Sequence, residues 1–266
     1  MYKYIIIFLL IILLFGCTKK TYVILKQNPI SINTENITTT EKTLIEPSAK
    51  FNINSYEKRS DGAVRITDST SAQNPAFSQD GIKILFTKFK SGYNEGSSDL
   101  KILNLETGNV NTLLGDGNSN VNLPGSSWIG DDIVYSSTKD PHDEIYTINT
   151  VSKKISKITS RNNLVAYEPS FSPNKKKIVF ESHVLDVEED GIIFIYDIGK
   201  NSYTQITAKN EDARQPNWSP KGDLILYQKF QNNRWDIWIY NLSSEKEFRL
   251  TQGSGDKTDA SFSPGE

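Results

Sequence analysis

Short apolar runs separated by turn residues fill this chain from about residue 70 to its end. They come in successive pairs, and the second run of each pair closes with Asn or Asp, whose side chains favour turns by bonding their own backbone. The runs are rich in isoleucine, tyrosine and phenylalanine, which favour strands. The pattern predicts an all-β protein with paired runs at 82–86 and 100–104, 132–135 and 145–149, 177–180 and 193–197, and 224–227 and 237–241.

A Pro-x-aromatic-Ser signature precedes each pair of runs. We expect its proline near a strand start, where the missing N–H costs little, and its aromatic ring between adjacent sheets. Two copies depart from the pattern, because Ile-Gly follows Trp128 and Ala260 stands where the proline would be. The aromatic positions lie 43 to 51 residues apart, at Phe77, Trp128, Phe171, Trp218 and Phe262.

A last element of the repeat is an aliphatic-Thr pair, which we expect at the end of a fourth strand. It occurs at 158–159, 206–207 and 250–251, whereas the first unit has Leu113-Leu114 and Ile66-Thr67 stands before the first signature. A four-stranded sheet cannot bury both faces alone, so such units stack around an axis as the blades of a β-propeller. The predicted blades are 74–114, 124–160, 168–207 and 215–251, with a fifth started at 259.

These motifs resemble the TolB-type, or WD40-like, propeller repeat, and the resemblance runs from about Arg65 to Glu266. It implies a β-propeller domain over 55–266. The fifth copy stops inside its first turn, so we expect four complete blades plus partial ones, in a propeller that is incomplete and open as given. One interpretation is a fragment of a five- to seven-bladed protein. The alternative is an open four-bladed arc with exposed strand edges.

The first seventeen residues resemble a lipoprotein signal peptide. Ile5–Phe15 is an apolar run too short for a bilayer core, which needs about 20 residues. The segment ends in Leu-Phe-Gly-Cys, similar to the bacterial lipobox, and Cys17 is the sole cysteine of the chain. We therefore predict lipidation at Cys17, against the alternative of a simple membrane anchor with an incidental cysteine.

Residues 18–54 are polar and without periodicity, which predicts a flexible tether between membrane and domain. The expected location is the bacterial cell envelope, lipid-anchored and facing the periplasm. Thr18 is not the Asp that favours inner-membrane retention in some bacteria, which favours the outer membrane.

Candidate chemistry is sparse. The net charge of −2 argues against a nucleic-acid partner. His142 and His183 stand in different units, where we expect both in exposed loops, and the acidic run 186–190 lacks the spacing of a calcium loop. No Gly-x-Ser-x-Gly motif of a hydrolase occurs. The sequence predicts no catalytic site, metal or cofactor, and hence no enzyme.

The leading interpretation is a non-enzymatic envelope protein that binds partner proteins through a propeller face. The resemblance implies that this binding serves envelope integrity or transport. The alternatives are a carbohydrate- or peptide-binding module and the propeller part of a truncated peptidase. Trp235 falls off the repeat pattern, so we expect it on an exposed loop as a possible ligand contact. The longest loops, 88–99 and 181–191, would carry recognition on one face.

Overall fold

The computed structural model describes residues 66–67, 71–92, 95–122, 128–160, 163–187 and 190–262. Strands and turns make up all of the regular structure in these ranges, and none of them contains a helix that could cross a membrane. The strands are β1 (Ala72–Phe77), β2 (Lys83–Phe89), β3 (Ser98–Asn104), β4 (Val110–Leu114), β5 (Val121–Asn122), β6 (Trp128–Ile129), β7 (Asp132–Ser137), β8 (Glu144–Asn149), β9 (Ile155–Lys157), β10 (Leu164–Phe171), β11 (Lys177–Val184), β12 (Ile192–Asp197), β13 (Ser202–Gln205), β14 (Asp212–Trp218), β15 (Leu224–Phe230), β16 (Trp235–Asn241) and β17 (Lys246–Arg249).

The strands form four separate antiparallel sheets, each a meander in chain order. The first sheet is β1 to β4, the third β10 to β13 and the fourth β14 to β17. In the second sheet both β5 and β6 pair with β7, which is followed by β8 and β9. No ladder among the described residues joins the first sheet to the fourth. These features confirm the predicted all-β, incomplete propeller.

Four of the five signature aromatic residues hold adjacent sheets together by packing against the sheet before their own, whereas Phe77 of the first copy is 55% exposed. Trp128 contacts the cluster around Leu85 and Leu100 of the first sheet. Trp218 packs in the same way against Val179 and Ile193 of the third sheet. Phe171 and Phe262 repeat the arrangement on the second and fourth sheets. The aromatic spacing in the sequence therefore sets the stacking of sheets, as predicted.

The signature proline lies inside the first strand of its sheet, not near the strand start as expected from the sequence. The register of β10 against β11 shifts between Tyr167 and Ser170, and Pro169 sits in this bulge. The residue before the proline takes a left-handed backbone, with φ of 47° at Glu168 and 54° at Gln215. A bulge leaves the extra residue unpaired, so a proline without an N–H is tolerated in mid-strand.

The signature serine closes the turn that follows it. The Ser172 hydroxyl accepts a hydrogen bond from the Lys177 N–H at 2.9 Å and lies 2.9 Å from the Asn174 side-chain oxygen, to which it donates. Ser78 makes the same two bonds in its own turn. Ser219 accepts from the matching N–H, that of Leu224, but donates to Asp223. These contacts explain why a small hydroxyl residue follows the aromatic one.

The threonine of the aliphatic-Thr pair follows the fourth strand instead of ending it. Its hydroxyl accepts a hydrogen bond from the third strand, from Ile145 N to Thr159 at 2.8 Å and from Ile237 N to Thr251 at 3.0 Å. All three such threonines are buried, the other being Thr207. Each threonine therefore links the segment after the fourth strand to the start of the third strand of the same sheet.

Candidate functional site

The signature turns of successive units surround a cavity of about 240 Å³ at one end of the sheets. We call it the signature cavity. Its apolar lining includes Phe171, Pro173, Trp218, Pro220 and Phe262. The two prolines are exposed, whereas the rings of Phe171 and Trp218 are buried between sheets.

The lining of the signature cavity is fixed by local contacts. The indole N–H of Trp218 donates to the Ser170 carbonyl at 3.1 Å. A Cβ at Gly222 would lie 3.2 Å from Pro173 Cδ, so the neighbouring turns approach closely. The lining residues carry no titratable side chain. The cavity is therefore suited to hold an apolar side chain of another molecule and offers no acid–base chemistry.

Trp235 is the first residue of β16 and is half-buried, so the prediction of an exposed loop is wrong. Asn232 and Asn233 form a tight left-handed turn with φ of 55° and 57°, so only residues 231–234 separate β15 from β16. Phe230 and Trp235 are then cross-strand partners, with ring centroids 5.4 Å apart. Whether Trp235 contacts a ligand stays a prediction.

An arginine completes this aromatic pair. The Arg214 guanidinium carbon lies 5.2 Å from the Trp235 ring centroid, within the range of a cation–π contact. Asp212 binds the same guanidinium through two hydrogen bonds of 2.7 and 2.9 Å. Phe230 is 43% exposed, whereas Phe89 at the matching position of the first sheet is 3% exposed. Phe230, Trp235 and Arg214 form a fixed, partly exposed surface, which we call the Trp235 platform.

His183 lies in β11 and is only 6% exposed, which corrects the expectation of an exposed loop. The loop between the middle strands is shorter than predicted, because β11 extends to Val184. The ring nitrogens of His183 lie 3.3 Å from a Glu181 oxygen and 3.7 Å from an Asp190 oxygen. The histidine thus joins two acidic side chains inside the third sheet.

His142 stands just before β8 and is half-buried. In the described ranges no three His, Cys, Asp or Glu side chains are arranged to hold a metal ion. Cys17 and the tether 18–54 lie outside the described residues, as do parts of the acidic run at 188–189. Lipidation at Cys17 therefore stays a prediction.

Three carboxylates, those of Glu168, Glu181 and Asp259, lie close enough to affect one another, and Glu168 is the residue before the signature proline Pro169. Burial, with the negative charges of Glu181 and Asp259, raises the pKa of Glu168 from its ordinary 4.5 to about 8. Glu168 can thus hold a proton at neutral pH. Sequence reasoning missed this group, although a signal was present, since this position of the signature is polar in four of the five copies, as Asn74, Glu168, Gln215 and Asp259, and apolar only at Leu123.

A sequence model of the TolB beta propeller domain matches residues 48–266. A curated relative, the protein TolB homolog of Protochlamydia amoebophila (strain UWE25), is 40% identical over 50 residues, which are 19% of this chain and 11% of that protein. The chain thus matches only a small part of the length of this relative.

Among solved structures, TolB from Acinetobacter baumannii superposes with a TM-score of 0.61 at 21% identity, over 76% of this chain and 49% of that one. The putative TolB from Agrobacterium tumefaciens gives 0.58 at 17% identity, over 73% and 72%. A puromycin-hydrolyzing peptidase of Mycobacterium tuberculosis gives 0.57 at 10% identity, over 71% and 30%. At these identities the likeness shows the fold alone. The family match over most of its length and the stacked four-stranded sheets together show that the chain belongs to the TolB beta propeller domain family.

Proposed function

We propose that this chain is a non-enzymatic scaffold of the bacterial cell envelope that binds a partner protein through the signature cavity. The observation that carries the proposal is the lining of that cavity, which is mainly apolar and free of titratable side chains. Its volume of about 240 Å³ is below the roughly 300–1,000 Å³ of small-molecule sites, so it suits side chains projecting from a partner.

Charged side chains introduced at the exposed rim of the signature cavity should prevent an apolar side chain of a partner from entering it. Replacing Pro173 and Pro220 with Glu puts carboxylates at the mouth without touching the buried rings. Lys209→Glu, on an exposed connection between the third and fourth sheets, is a matched control.

The test is a pull-down from detergent-solubilised envelope with the full chain as bait. We expect a partner protein that is retained by the wild type and by Lys209→Glu and is lost with Pro173→Glu/Pro220→Glu. Recovery of no protein, together with retention of the chain on glycan resin, would instead favour a carbohydrate-binding role.

We further propose that Cys17 carries the lipid that anchors the protein in the envelope, since the only cysteine follows a short apolar run. Two or more acyl chains give stable membrane attachment. Expression in a bacterium fed labelled palmitate should label the wild type and leave Cys17→Ser unlabelled. Equal labelling of both would contradict the proposal.

A second candidate function is carbohydrate or peptide binding at the Trp235 platform. It is favoured by the partly exposed Phe230 ring beside Trp235 and the cationic Arg214, a combination that binds sugar rings or side chains by stacking. The peptidase alternative is supported only by the fold likeness to propeller-containing peptidases. Glycan-array binding that is lost in Trp235→Ala and kept in Pro220→Glu would favour the platform over the signature cavity.

A further inference from the structure

The turns at the end that holds the signature cavity form one continuous surface. Each sheet is an antiparallel meander, so its first and last turns lie at the same end, and a backbone hydrogen bond joins them. In the third sheet Ile198 N donates to the Lys176 carbonyl at 3.0 Å, and in the fourth Leu242 N donates to the Asp223 carbonyl at 3.1 Å. We call this surface the turn face. It comprises residues 130–131, 150–154, 172–176, 198–201, 219–223 and 242–245.

Lysine outnumbers acidic residues on the turn face. Six lysines stand there and all are exposed, namely Lys153, Lys154, Lys175, Lys176, Lys200 and Lys221. The acidic residues are three, Asp131, Asp223 and Glu245. The net charge of −2 for the whole chain therefore hides a local positive excess beside the signature cavity.

The turns are closed mainly by groups that leave the lysine charges uncompensated. Neutral side-chain oxygens accept the turn N–H groups in several places, as Asn174 does from Lys176 N at 3.0 Å. Asp223 accepts the Ser219 hydroxyl at 2.8 Å, and Asp132 pairs with Lys175 at 2.6 Å. Lys176 and Lys221, by contrast, form no ion pair with any residue that the structure describes.

These two lysines flank the mouth of the signature cavity. Lys176 belongs to the same turn as Pro173, and Lys221 directly follows Pro220. Both prolines line the cavity, and the two turns approach closely at Gly222. An apolar side chain that enters the cavity therefore brings its own chain neighbours close to two exposed ammonium groups. Each exposed ion pair contributes little alone, but several pairs together set the preference for a partner's charge.

We propose that the partner segment that enters the signature cavity is acidic, with an apolar side chain in the cavity and carboxylates beside it that pair with Lys176 and Lys221. This inference rests on the proposed function and adds the chemistry of the partner. All cations of the turn face are lysines, which act as point charges without the fixed fork geometry of arginine. Recognition is therefore by charge and should be sensitive to salt. The recessed, apolar cavity favours a side chain of a peptide over a flat lipid surface.

Isothermal titration of the purified chain with synthetic peptides tests the proposal. The probe is a heptapeptide with blocked ends, a central leucine and two glutamates on each side of it. The matched control has glutamines in place of the glutamates. We expect the glutamate peptide to bind saturably and at least fivefold more tightly than the glutamine peptide at about 10 mM salt, and the difference to disappear at about 1 M salt.

Variants assign the charge preference to the turn face. Lys176→Gln/Lys221→Gln should weaken binding of the glutamate peptide about fivefold and leave binding of the glutamine peptide unchanged. Lys139→Gln/Lys209→Gln removes the same charge from exposed lysines at the opposite end of the sheets, and should change neither.

Equal affinity for the two peptides would overturn the proposal and leave the signature cavity as a site for an apolar side chain of any charge context. Binding of the glutamate peptide that Lys176→Gln/Lys221→Gln leaves intact would overturn it as well. No saturable binding of either peptide would also overturn it, and the pull-down with Pro173→Glu/Pro220→Glu then decides the proposed function separately. Sedimentation with phosphatidylglycerol vesicles that is lost in Lys176→Gln/Lys221→Gln, without peptide binding, would instead assign the turn face to a membrane surface.

Discussion

The Glu181 carboxylate accepts a hydrogen bond from the backbone N–H of Gln215 at 2.6 Å, and so links the third sheet to the first strand of the fourth. The link repeats one unit later, where the Gln228 side-chain oxygen accepts from Asp259 N at 3.2 Å. In both cases the donor is the left-handed residue that begins the signature. Polar contacts at the bulge therefore join the sheets that the aromatic rings pack together.

Removing the Glu181 carboxylate should destabilise the junction of the third and fourth sheets. Glu181→Ala leaves the Gln215 N–H without its acceptor and removes one of the two acidic neighbours of His183, and the expected loss is about 1–3 kcal/mol of unfolding free energy. Chemical denaturation followed by tryptophan fluorescence measures it. Glu106→Ala, at an exposed acidic residue of the turn between β3 and β4, is the control and should change stability by less than about 0.5 kcal/mol.

The raised pKa of Glu168 predicts a pH dependence of stability. Because its pKa in the folded chain is about 8 and its ordinary value is 4.5, the folded state binds more protons between these two values. Stability should therefore fall as pH rises from 4.5 through about 8, and level off above.

Melting temperatures measured between pH 5 and pH 9 test this prediction, at about one-unit steps. Glu168→Gln keeps an uncharged side chain of the same size and should flatten the fall over this range. An equally steep decline in wild type and Glu168→Gln would show that other groups cause it.

The threonine that follows the fourth strand should contribute stability through its hydroxyl. In the fourth sheet Thr251 accepts from Ile237 N and donates to Asp236 at 2.9 Å. Thr251→Val keeps the shape, leaves the Ile237 N–H without its acceptor and removes one donor from Asp236, which Arg234 and Arg249 still pair with. We expect a loss of about 2 kcal/mol. Thr204→Val, on the exposed strand β13, should have almost no effect in the same denaturation experiment.

Lys229 is a buried cation whose removal should be costly. Its ammonium group lies 2.9 Å from a Glu211 oxygen, 2.7 Å from a Glu247 oxygen and 4.1 Å from the Trp238 ring centroid. Lys229→Ala leaves two carboxylates facing a void, and we expect a loss of about 3 kcal/mol. Lys229→Met fills the void and should recover part of this loss, and no difference between the two variants would argue against the packing role.

The repeat could be read from the sequence because each of its parts has a local physical cause. The aromatic residue fills the gap between sheets, and the serine closes a turn within five residues, as Ser172 does for Lys177. Such constraints leave regular spacing that survives when the intervening residues vary.

Other features depend on contacts between units and left no local pattern to follow. The proline could not be placed in a mid-strand bulge, because the bulge is defined by the register against the next strand. Trp235 looked like a loop residue, since the two left-handed asparagines before it shorten the loop to a turn. His183 was predicted as exposed because β11 was expected to end at Phe180. Glu181, two residues before it, shares its face only once the strand extends to Val184, and Asp190 approaches through the return of the loop.

The proposed binding of a partner protein at the signature cavity is tested most directly by site-specific photo-crosslinking in cells. A photoreactive phenylalanine analogue replaces Pro220 at the cavity rim, or Lys209 on the exposed connection as the control. The account predicts a discrete crosslinked protein adduct from position 220 and none from position 209. No adduct from position 220, or the same adduct from both positions, would contradict it.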